Sequence, residues 1–187
     1  MQGYFLIGSF VVMILAVLVR SQQLRKLGIK AVHFGKLDKK DFIIPPFVLL
    51  YFYLILANIW DFPRFEEIFV QNDIISWIGV AFCVFAPVLF IWGIISFGKS
   101  FRVGVDNKKP NSLVTGGAFA ISRNPLYLAF FSILLGAFLI FPMWTFFGYF
   151  VAALWLIDRQ VCLEENFLKA HYGAEYDDYC GKVRRYL

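Results

Sequence analysis

Metal chemistry has almost nothing to work with in this chain. It holds two histidines, His33 and His171, and three cysteines, Cys83, Cys162 and Cys180, none spaced for zinc or a disulfide framework. No metal is therefore expected. Charge is thin as well, 17% of 187 residues, against 60% hydrophobic and 20% aromatic. Soluble domains carry about 45–50% apolar residues, and 23 phenylalanines are more than a water-facing surface can hide. The N-terminal run lacks a basic n-region and a small-residue cleavage site, so it reads as a retained span rather than a signal peptide. The ending V-R-R-Y-L has no cysteine four from the end, so the chain is not expected to be prenylated. What these absences leave is an integral membrane protein of the all-α class.

A membrane helix needs about 20 predominantly apolar residues, with about 17 as a lower limit. Five runs approach this: Tyr4–Val19, Phe42–Trp60, Ile74–Phe97, Leu126–Phe141 and Met143–Ile157. Pro45 and Pro46 stand early in the second, where a missing N–H costs least, and Pro87 predicts a kink in the third. Little more than Pro142 separates the last two, which predicts an antiparallel hairpin. Loops this short leave no room for a separate soluble unit, so residues 1–187 read as one membrane domain. Within it, 1–97 supply the N-terminal spans and 98–187 the chemistry.

Loop charge predicts direction. Seven bases lie between the first two spans, from Arg20 to Lys40, and more follow in the segment 98–125 and the tail after Ile157. The loop Asp61–Asp73 instead has Arg64 against Asp61, Glu66, Glu67 and Asp73. Five spans put every basic segment on one side, with the C-terminus in the cytoplasm. The net charge of +5 is then topological, and no nucleic-acid partner is expected.

Two polar segments bracket the hairpin. The first runs from Gly116 to Tyr127. Gly116 and Gly117 permit positive φ, and Pro125 biases Asn124 away from the helical region. The unpaired N–H groups opening the next helix would stabilise a carboxylate, with Arg123 and Tyr127 close by. An interfacial turn with a snorkelling arginine and a belt tyrosine is the plainer alternative. The second segment starts at Asp158. Leu163, Phe167 and Ala170 recur at helical spacing, so the fifth helix is expected to continue beyond the bilayer. Glu165 and Lys169 are spaced as an i,i+4 pair. Gln160 and Glu164 share a face near the hydrocarbon edge, where an acid is costly unless paired or used. Gly173 then predicts a break before an interfacial helix.

The order L-V-T-G-G-A-F-A-I-S-R-N-P-L-Y (113–127), hairpin, E-E-N-F-L-K-A-H-Y-G-A-E-Y-D-D-Y (164–179) and V-R-R-Y (183–186) resembles the isoprenylcysteine carboxyl methyltransferase family and the related phospholipid N-methyltransferases. The resemblance covers about half the chain, from Phe97 onward. It implies a membrane-embedded methyltransferase that uses S-adenosylmethionine in a cytoplasmic pocket and takes a lipophilic or prenylated acceptor from the bilayer. Carried over residue by residue, Asn111, Ser112, Leu113 and Val114 match the segment holding the adenosine part. Phe119 matches the aromatic after the glycine, and Asn124, Pro125, Leu126 and Tyr127 match a His-Pro-x-Tyr step. Glu164 and Glu165 match the paired acids, Glu165 on the cofactor and Glu164 on the catalytic side. Arg159 is the nearest match to the substrate-side arginine, with Gln160 competing for that place. Asn124 departs from the family's histidine and cannot act as a base, although it keeps a donor and an acceptor. The resemblance does not choose between a carboxylate acceptor, as in isoprenylcysteine, and a phospholipid amine. An NADPH-using relative of the sterol reductases and a non-enzymatic membrane scaffold are the competing readings.

Overall fold

The computed structural model describes residues 1–28, 44–60, 68–70, 72–98 and 112–187. Asn111, the basic segments 29–43 and 99–110, and the acidic segment 61–67 lie outside the described residues. Among the described residues there are six α-helices, one 3-10 turn and no strand. The helices are α1 Gly3–Lys26, α2 Ile44–Ile59, α3 Asp73–Phe97, α4 Pro125–Ile140, α5 Trp144–Tyr172 and α6 Ala174–Lys182.

Local chemistry accounts for their limits. Helix α1 runs past the expected stop at Val19 because Arg20 finds partners: it donates to Gln23 Oε1 at 3.1 Å and to the Gly98 carbonyl. Arg25 and Lys26 in its last turn face the negative end of the helix dipole. Pro45 and Pro46 fall in the first turn of α2, as their missing N–H groups require. Asn72 caps α3, accepting from the Ile74 and Ile75 amides at 2.9 and 3.2 Å. That helix continues through a buried Pro87 to Phe97. The hairpin expected around Pro142 is present: only Phe141, Pro142 and Met143 separate α4 from α5, and all three are buried. Helix α5 extends to Tyr172, beyond the apolar run, and ends at Gly173 with φ of 55°.

Three helices, α1, α3 and α5, are long and apolar enough to cross a membrane, while α4 and the Leu49–Ile59 part of α2 are shorter apolar helices. At 1.5 Å per residue, α4 measures roughly 24 Å, short of a ~30 Å hydrocarbon core. Glycine brings α3 and α4 together. A Cβ on Gly136 would lie 2.7 Å from the Gly79 carbonyl and 2.7 Å from Cys83 Sγ. The core grows outward from this contact: Leu6, Ile55, Ile133 and Phe146 are fully buried, and the Tyr51 and Phe146 rings meet edge-on at 5.6 Å. Val12, Leu15 and Val19 of α1, Ile95 of α3 and Trp155 of α5 stay exposed. In water such a surface would be costly; hydrocarbon suits it. The antiparallel α3–α4 pair brings the end of α3 and the start of α4 to one end of the bundle, where the distal half of α5 and α6 also converge.

Candidate functional site

The loop before α4 is built on a glycine. Gly117 has φ of 63°, a conformation that side chains disfavour. It opens the 3-10 turn Gly117–Ala120, which is anchored to α3 by the Ala118 amide donating to Ser96 Oγ at 3.0 Å. From the other side, buried Tyr179 of α6 donates to the Phe119 carbonyl at 2.7 Å. The next residues meet the C-terminal tail as it returns from α6. The Arg123 amide donates to the Arg184 carbonyl at 3.0 Å, and Ser122 Oγ and Asn124 Nδ2 donate to the Arg185 carbonyl at 3.3 and 3.2 Å. Loop and tail thus form one polar assembly beside α5.

Two adjacent glutamates of α5 have unlike surroundings. Glu165 is the charged hub. Arg123 Nη2 stands 3.5 Å from its Oε1, and Arg185 contacts Oε2 through Nη2 at 2.9 Å and Nε at 3.1 Å. Asn124 Nδ2 is 3.5 Å from Oε1. Glu164 is held differently: Tyr127 Oη at 2.7 Å and Gln160 Nε2 at 3.0 Å both donate to its Oε1. Burial raises the Glu164 carboxyl above its ordinary range, and the bonds from Tyr127 and Gln160 partly offset this. Burial also pushes the Tyr179 hydroxyl up to about 12, with Arg123 opposing, so this phenol remains a donor at neutral pH. Arg123 adds an unusual feature: its Nη1 contacts Cys180 Sγ, while its Nε is buried without a partner.

Several expected site residues gather here: Asn124, Tyr127, Glu164 and Glu165. One expectation needs correcting. Lys169 does not pair with Glu165; it reaches Asp177 at 3.0 Å, because Glu165 faces the loop and tail. Gln160 and Glu164 meet on one face of α5 as their spacing predicts, and Arg159 sits half-buried one position earlier. Phe119 is a core residue, 5% exposed, with its ring 4.4 Å from that of Phe97. Pro125 is buried at the start of α4, whereas Leu126, Leu113 and Val114 are half-buried and Ser112 is exposed. Asn111 lies outside the described residues. The sequence reading assigned nothing to Arg185 or Asp158. Arg185 Nη1 is 3.7 Å from Asp158 Oδ1, which also accepts from Tyr186 Oη at 2.9 Å. The only signal for this was V-R-R-Y recurring as part of the motif order. Among the described residues no cluster of potential metal ligands forms.

Chemically, the site offers a desolvated carboxylate held by two neutral donors, a buried guanidinium nitrogen in want of an acceptor, and neutral hydroxyl donors. A zwitterionic amino-acid group next to a cationic centre would bring an acceptor to that nitrogen and a positive group to that carboxylate.

Comparison with known proteins adds an independent line. The profile of the phospholipid methyltransferase family matches residues 74–175, from α3 through the start of α6. A protein of Oryza sativa subsp. indica, named a probable protein-S-isoprenylcysteine O-methyltransferase, is 26% identical over 127 residues, covering 65% of this chain and 63% of that protein. Proteins named protein-S-isoprenylcysteine O-methyltransferase from Tribolium castaneum and Schizosaccharomyces pombe are each 28% identical, over 125 and 131 residues. These alignments cover 65% and 68% of this chain but 43% and 55% of the relatives. The chain therefore spans less than two thirds of the length of these relatives.

Proposed function

The chain belongs to the phospholipid methyltransferase family, and we propose that it is an integral membrane methyltransferase using S-adenosylmethionine to modify a lipophilic acceptor. We read the whole chain as one membrane domain with five spans, its C-terminus and the loop–tail assembly facing the cytoplasm. The positive-inside pattern of the loops supports this orientation.

One observation carries the reading. Arg123 Nε is buried and, among the described residues, unpartnered, and the desolvated Glu164 carboxylate, held on Oε1 by Tyr127 and Gln160, lies at the same end of the bundle. These residues fit S-adenosylmethionine, with the guanidinium available to its carboxylate and Glu164 to a positive group. Asn124, Tyr127, Glu165 and the segment 111–114 complete the pocket in this reading. Phe119 and Pro125 contribute by fixing the loop, since both are buried.

When bound, the donor supplies an electrophilic methyl carbon; its S–C bond breaks as the acceptor bond forms, leaving a neutral thioether. The protein's part is alignment at near-attack distance, and a dry site favours a reaction in which opposite charges disappear. For an isoprenylcysteine-like carboxylate, Arg159 would orient the acceptor and no base is required. This acceptor is our first reading, supported by the names of the relatives. A phospholipid amine is the second, favoured by Glu164. An ammonium must lose a proton before it attacks, and a carboxylate whose proton affinity is raised by burial is suited to take it.

The test is methyl transfer from labelled S-adenosylmethionine by the reconstituted protein, offered S-farnesylated N-acetylcysteine or phosphatidylethanolamine vesicles. A base-labile methyl ester indicates the first reading and base-stable label in lipid the second. Absence of both products, with no donor binding by calorimetry, would refute the proposal; binding of NADPH instead would point to reductase chemistry.

A further inference from the structure

The geometry points to Arg185 as a positioning residue that sets the direction of the Glu165 carboxylate, coupling methyl-donor binding to docking of the C-terminal segment. This rests on the reading of the site as a donor pocket. Glu165 is a buried acid, its side chain 12% exposed, that Arg123 approaches only to 3.5 Å. Arg185 meets it with two guanidinium nitrogens at 2.9 and 3.1 Å on a single oxygen. The remaining nitrogen is 3.7 Å from Asp158, about two turns earlier on the same face of α5.

The same residue is gripped through its backbone. Its carbonyl accepts from Ser122 and Asn124 of the loop. Tyr186, the next residue, packs its ring on Phe131 at 5.3 Å and bonds Asp158. Arg185 is thus the point where loop, α5 and tail are joined. Its neighbour provides a contrast: Arg184 contributes a backbone carbonyl, and its side chain is exposed. Three separate nitrogens of the fork are in use, two on Glu165 and one toward Asp158, where an ammonium has a single nitrogen, so lysine should replace arginine incompletely.

The test uses the full chain in detergent, titrated calorimetrically with S-adenosylmethionine and followed by methyl-transfer kinetics. Arg185→Gln should weaken donor binding roughly ten-fold, as expected for loss of a charged hydrogen-bond partner that is itself 40% exposed but meets a mostly buried carboxylate. It should raise the donor KM more than it lowers kcat. Arg185→Lys should fall between it and wild type, and would carry the test if the glutamine variant failed to fold. Arg184→Gln should bind as wild type. Adding Arg185→Gln to Glu165→Gln should weaken binding by less than about two-fold beyond Glu165→Gln alone, since the arginine acts through that acid. Wild-type affinity in Arg185→Gln, equal losses at Arg184 and Arg185, or fully additive losses with Glu165→Gln would each overturn the inference alone. A wild type that binds no donor would overturn the donor-pocket reading and this inference together.

Discussion

Tyr127→Phe removes one hydroxyl and leaves the ring, and its effect can be worked out from the two bonds on Glu164. The Tyr127 hydroxyl donates to Oε1 at 2.7 Å, and Gln160 shares that oxygen at 3.0 Å. A hydrogen bond to a charged acceptor contributes about 1.5–3 kcal/mol. Because Gln160 remains, the loss belongs at the lower end, about 1.5 kcal/mol, or roughly ten-fold in an equilibrium constant. The sign follows from what each influence does to the carboxyl. Burial raises its proton affinity and the tyrosine bond lowers it. Deleting the bond therefore raises the affinity further, so the ionised form appears only at higher pH. If turnover of an amine acceptor needs ionised Glu164, the acid limb of the rate profile should move to higher pH in Tyr127→Phe. The rate on the alkaline plateau should fall much less than the rate at the acid end. The assay is initial-rate methyl transfer across pH with saturating acceptor and labelled donor, with melting temperature as a check on folding. An unmoved acid limb, or one displaced to lower pH, would refute the reasoning that Tyr127 tunes Glu164.

Tags placed after Tyr186 and near Phe69 should report opposite sides of the membrane in a reporter-fusion assay; the same side for both would contradict the five-span orientation. Gly136→Ala should destabilise the bundle by about 1–3 kcal/mol, because the new methyl meets a backbone carbonyl that cannot retreat, and should lower the melting temperature in detergent. Asn124→His keeps a donor for the Arg185 carbonyl and should change the rate little, without a new limb near the histidine pKa of about 6.5. Pro125→Ala should do more damage by loosening the entry to α4, and pH–rate profiles of the two variants separate these outcomes.

Hydropathy and punctuation were enough to place most helices. The apolar runs, Pro142 between the last two, and Gly173 after Tyr172 each act within a few residues, so the α4–α5 hairpin and the break before α6 were legible along the chain. The extension of α5 past Ile157 was legible too, from the spacing of Leu163, Phe167 and Ala170. Ends decided by distant partners were not: α1 continues to Lys26 because Arg20 reaches Gly98 of another helix.

The site divides the same way. That Gly116–Tyr127 and the two glutamates belong together could be inferred from motif order and a hairpin that returns the chain. Which acid holds which cation could not. Helical spacing offers Lys169 to Glu165, yet the tail brings back Arg185, twenty positions later, with a fork that outcompetes an exposed ammonium for a buried carboxylate. Periodicity records which residues share a face of one helix, but says nothing of the distance across three separate elements. The Tyr127 bond to Glu164 and Phe119 turned into the core against Phe97 follow from how loop, α5 and tail close on one another, and only the tertiary structure decides that closure.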